Sequence, residues 1–164
     1  MKSKNLTIYL LNCFLLIIPI LLFNVIFAGS LPKAFSAEIF WKDIPPAVAT
    51  GENILRGLVL IFPLLMPLKI MTARQKAGLT VYIAGILIYF LTWSLLMLFP
   101  QLTSNWFAFA APAYTPLLWL VGIGLIGDSL YFPIPYKGWH YIAGSLLFVI
   151  FHVWHTTLVY LRIP

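Results

Sequence analysis

Five long apolar runs separated by short polar stretches constrain this chain more than anything else in it; they cover 6–28, 54–71, 79–99, 110–132 and 139–161. Crossing a hydrocarbon layer of roughly 30 Å takes about 20 mostly apolar residues in a helix, which satisfies its own backbone hydrogen bonds where water is absent. The spacing therefore predicts an all-α, polytopic membrane protein, a bundle of five transmembrane helices forming a single domain over 1–164. With 62% hydrophobic and 9% charged residues, an ordinary soluble domain is excluded.

The charged residues then set direction. Ten Lys and Arg against four acids give net +6, but the bases sit between the runs and form no block that could track a phosphate backbone, so no nucleic-acid partner is expected. With a cytoplasmic N-terminus, Lys2, Lys4, Lys69, Arg74, Lys76 and Lys137 fall inside and Lys33, Lys42, Arg56 and Arg162 outside. Short loops dominate the positive-inside rule, and the basic loop 69–76 favours N-inside and C-outside, in a membrane of the bacterial plasma (inner) type. The first run follows a basic start but is too long for a secretory h-region, so it is expected to stay as an uncleaved span.

Between the first two runs, 31–42 places Leu31, Phe35 and Ile39 on one helical face, with Lys33, Glu38 and Lys42 away from it, before Pro45-Pro46. This predicts a short interfacial helix on the outer surface, stopped by the prolines. Pro63 and Pro67 should kink the second span.

Polar groups gather at one depth. At 1.5 Å per residue, His152 lies roughly 3 Å and His155 roughly 7 to 8 Å outward of the fifth span's midpoint; Trp93, Ser94, Tyr114, Thr115 and Asn24 fall at roughly 6 to 12 Å on the same side. Glu52, Asn53 and Arg56 open the second span at the outer boundary, where the i, i+4 spacing lets Glu52 pair with Arg56. In the last span Ser145, His152, His155 and Thr156 share a stripe opposite Leu147, Ile150, Trp154 and Leu161, so the histidines should face the bundle. Ionisable groups at membrane depth mark sites. The expected ligand-binding set is His152, Arg56, Tyr114, Trp93 and Asn24, and an enzyme would use His155 as base with Glu52 orienting it.

Other chemistry finds less support. Cys13 stands alone, which excludes a disulfide or a C-x-x-C redox pair. All three histidines belong to the fifth span, so bis-histidine haem has no second helix; zinc on His152 and His155 would need Glu52 as a third ligand, a weak signal, and no metal or cofactor is expected. His140 suits the inner interface, and Asp128 is placed to pair with Lys137. Gly122-Ile-Gly-Leu-Ile-Gly127 matches the dinucleotide fingerprint but lies within a span, where small residues serve close helix packing. The sequon at Asn5 falls on the cytoplasmic side. A five-span, Trp-rich chain of this size is similar in outline to the tryptophan-rich sensory proteins, but their Trp-Pro-Pro signature is absent and no family is assigned.

The leading expectation is a small membrane protein that binds a lipid or hydrophobic small molecule, or a membrane protein partner, through an outer-half pocket. Its alternatives are an enzyme acting on an outer-leaflet lipid and a structural subunit of a membrane complex. The orientation is checked by labelling a cysteine placed in the loop 69–76: it should react only with reagents that reach the cytoplasmic face, and reaction from outside would reverse the topology.

Overall fold

The computed structural model describes residues 7–163, and these are mostly helical, with no strand among them. The helices are α1 (Thr7–Leu10), α2 (Ile18–Phe27), α3 (Ala37–Phe40), α4 (Pro46–Ile61), α5 (Ala73–Leu98), α6 (Trp106–Tyr114), α7 (Pro116–Ile126) and α8 (Gly138–Tyr160), joined by short 3-10 turns. Five segments are long and apolar enough to cross a membrane: Cys13–Ser30, Pro46–Leu65, Ala73–Leu98, Trp106–Ile126 and Gly138–Tyr160. Lys2, Lys4 and the Asn5 sequon lie outside the described residues.

Several boundaries differ from those expected, each for a local reason. The second segment starts at Pro46, because proline at the first helical position sacrifices no hydrogen bond; the Pro45-Pro46 pair begins this helix rather than ending the one before. Glu52 and Arg56 therefore sit well inside α4. Pro63 converts the end of that helix into a 3-10 turn at Phe62–Leu65, short of the expected 71. The third segment starts at Ala73, not 79, because Thr72 and Gln75 form a reciprocal capping box across the first turn. The fourth breaks at Thr115 before Pro116 and ends at Ile126, leaving 127–132 non-helical; the Thr115 hydroxyl donates to the Ala111 carbonyl beside the break. Asp128 makes no ion pair with Lys137.

The expected interfacial helix is also altered. Residues 33–35 form a 3-10 turn, Ser36 is extended, and only Ala37–Phe40 is α-helical. The break turns the segment onto the bundle: Phe35 stacks on Phe109 at 4.7 Å, Phe40 packs on His155 at 4.4 Å, and Ile39 is left exposed.

The centre of the bundle is the contact of α5 with α7. Buried α5 positions are Gln75, Gly78, Tyr82, Gly85, Tyr89, Trp93 and Leu96, a stripe repeating at three- and four-residue steps. Its glycines touch backbone: a Cβ on Gly85 would lie 2.5 Å from the Trp119 amide nitrogen, and one on Gly122 2.5 Å from that of Tyr82. Gly138 approaches the Gly124 carbonyl as closely. The glycine run of α7 thus serves helix contact, as its position within an apolar run implies.

Large apolar side chains face outward all round, among them Val25, Ile26, Leu58, Ile61, Leu87, Leu91 and Leu98. One end of the bundle is closed by 11–13 running antiparallel to 66–68, through Cys13 N–H to Met66 O at 2.8 Å and Leu68 N–H to Leu11 O at 3.0 Å. Gly122→Val should push α5 and α7 apart and lower stability by about 1–3 kcal/mol or more, read as a fall in thermal midpoint in detergent. An unchanged midpoint would show that the contact carries no load.

Candidate functional site

Glu52 is the organising residue. It lies on the inward face of α4 with no solvent exposure, and a buried carboxylate is tolerable only when fully bonded. Its Oε1 takes the Arg56 guanidinium from the next turn of α4 and faces His152 Nδ1 of α8 at 2.8 Å, while its Oε2 bonds His155 Nδ1. The other nitrogen of His155, Nε2, lies 2.8 Å from the Phe40 carbonyl oxygen of α3. One carboxylate thereby ties together two helices distant in sequence, and His155 ties the 33–40 segment to both.

Beside this cluster lies a cavity of about 400 Å³ whose wall draws on all five apolar segments and on the 31–42 segment. Polar groups in its wall include Arg56, His152, Thr156 and Asn24, whose Oδ1 accepts from the Tyr89 hydroxyl at 2.8 Å. Phe40 and Trp41 cover it, and the Arg56 guanidinium lies 5.5 Å from the Trp41 ring centre, a cation–π contact. The remaining wall is largely aromatic and aliphatic, with Trp93, Trp119, Phe109, Phe148, Leu60 and Ile20 prominent. The indole N–H of Trp119 is buried without a hydrogen-bond partner, whereas that of Trp93, equally buried, has the Tyr89 side chain as its hydrogen-bonding neighbour. A buried donor left unpaired costs about 1–3 kcal/mol, so the Trp119 indole stands out in the cavity wall.

Of the residues singled out from the sequence, His152, Arg56, Trp93 and Asn24 come together in this wall. Tyr114 does not join them: α6 turns Phe109, Pro112 and Ala113 to the cavity, and Tyr114, on another face, is exposed, its hydroxyl donating to Phe107 O at 3.1 Å. His155 lies behind the wall with both nitrogens engaged, which leaves it no free nitrogen for the base role the sequence suggested. The imidazole in the wall is His152, oriented by Glu52 and stacked on Phe148 at 5.4 Å. Both rings turn Nδ1 onto the carboxylate, and no group of three His, Cys, Asp or Glu among the described residues has the arrangement to hold a metal ion.

Tyr89, Trp119, Trp41 and Phe148 were not singled out from sequence. The heptad-like stripe on α5 could have given Tyr89. Trp41 is brought in by the fold of the 31–42 segment, which no periodicity announces.

Comparison with protein-family models, characterised proteins and solved structures finds no match to this chain. The site is therefore read from its own chemistry. Glu52→Leu should leave Arg56 and two imidazoles without their acceptor and cost about 3–5 kcal/mol, measurable as a large drop in thermal midpoint. A variant as stable as the parent would mean the cluster holds nothing together.

Proposed function

We propose that this chain is an integral membrane protein whose five apolar helices cross the bilayer, with the cavity in its outer half, and that the cavity binds a lipid or other hydrophobic ligand. One observation carries this reading: an aromatic-lined cavity of about 400 Å³, walled by every apolar segment, with a few polar groups in its lining. Ligand sites for small molecules occupy roughly 300–1,000 Å³ and pair apolar walls with a few placed polar groups. The belt of outward-facing Leu, Ile and Val supports the membrane setting, since water would not tolerate it over so much of the surface.

A second reading, an enzyme acting on an outer-leaflet lipid, rests on the oriented His152 imidazole. Its Nδ1 is held by Glu52, an arrangement that fixes a tautomer and directs the other nitrogen as a base. Turnover of a labelled lipid extract that disappears in His152→Ala would favour the enzyme over the binding protein.

The binding reading is tested by native mass spectrometry of the protein purified in a non-ionic detergent. A stoichiometric amphiphile should accompany the parent chain and be lost from Ala28→Trp, which places a bulky ring at an exposed position of the cavity wall. Equal loading of both proteins, or none of either, would overturn the proposal.

A further inference from the structure

The hydrogen bonds of the Glu52 cluster fix its charge. His155 Nε2 faces a carbonyl oxygen, which can only accept, so that nitrogen carries a hydrogen. The contacts of Glu52 with His155 Nδ1 and with His152 Nδ1 each need one more proton between the partners. Three protons shared among one carboxyl and two imidazoles make those three groups neutral together, wherever each proton sits. Arg56 then leaves the cluster with a charge of +1, and protonation of the remaining His152 nitrogen would raise it further.

Among the described residues no other acid balances that charge. The chain has three other acids, Glu38, Asp43 and Asp128; none lines the cavity, and none forms an ion pair with the cluster. The Arg56 side chain is 34% exposed, so an anion entering the cavity can reach a cation whose one carboxylate partner is already shared with two imidazoles. Arg56 lines the cavity, and its planar fork suits an oxyanion while one end remains on Glu52. The unpartnered indole donor of Trp119 belongs to the same wall and favours a ligand with acceptor oxygens.

Resting on the ligand-binding reading above, we infer that the cavity takes an acidic amphiphile: an anionic oxygen head, carboxylate or phosphate, at Arg56 and His152, with a single apolar chain along Trp93, Trp119 and Phe148. A neutral lipid of equal length leaves the cluster's charge unbalanced and binds more weakly.

The test titrates the full chain, in non-ionic detergent, with lauric acid, dodecyl phosphate, dodecanol and inorganic phosphate, followed by native mass spectrometry. At least one ionised amphiphile should bind about tenfold to a hundredfold tighter than dodecanol, the range of a charge-assisted hydrogen bond. Arg56→Gln should abolish that preference, and Arg56→Lys, which keeps the charge, should retain most of it. Preference for the carboxylate supports a free fatty acid as the source, and preference for the phosphate supports a phosphate-ester lipid. Dodecanol binding as tightly as both acids would overturn the inference while leaving the binding reading intact. Inorganic phosphate binding as tightly as dodecyl phosphate would overturn the role given to the chain. Binding by none of the amphiphiles would instead overturn the binding reading itself.

Discussion

A single buried carboxylate holds α4, α8 and the 33–40 segment together. Glu52 on α4 receives Arg56 from its own helix and two imidazoles from α8, and His155 passes the connection on to the Phe40 carbonyl. Such a group is expensive to bury, and each of its bonds offsets part of that expense. The same bonds dictate geometry. Because the lone pairs of both oxygens are directed at fixed partners, α4, α8 and the 33–40 segment have one mutual arrangement in which all are satisfied. The cavity beside Glu52 is the space that arrangement leaves between aromatic side chains too large to fill it.

The α5–α7 contact depends on the opposite device. Where α5 meets α7 there is little polar chemistry; Gly85 and Gly122 let backbone approach backbone, and van der Waals contact over a long interface replaces the hydrogen bonds used near Glu52. The glycines also set the distance from α5 to the rest of the bundle, and so how far Tyr89 and Trp93 reach across it. Tight packing at this contact and open space one layer away are thus parts of one arrangement. The bulky aromatics of α5 lie toward the end where the cavity opens, and its glycines lie toward the closed end.

Much of this was legible in the chain. Five apolar runs gave five apolar helices, and the inward stripe of α8 is the one its polar residues marked, with Ser145, His155 and Thr156 buried and Leu147, Ile150 and Trp154 outside. The pairing of Glu52 with Arg56 followed from helical spacing. Helix starts were harder. Thr72 and Gln75 spell a capping box, but Arg74 and Lys76 beside them look like a loop when hydropathy alone is weighed, and the helix begins six residues earlier than the apolar run suggests. The 31–42 segment misled for a related reason: its amphipathic spacing is real, yet the bonds offered by the bundle outweighed a short surface helix that would be marginal by itself.

The sequence by itself determined the all-helical class, the number of long apolar helices and the inward face of α8, because hydropathy and helical period act over a few neighbouring residues. Tertiary structure alone decided which histidine meets the cavity. His152 and His155 are both on the inward side of α8, and which of them is enclosed depends on Phe40 and Trp41, residues more than a hundred positions away that pack against His155. The excess positive charge of the cluster is likewise invisible in a list of residues, since it follows from which oxygen accepts from which nitrogen.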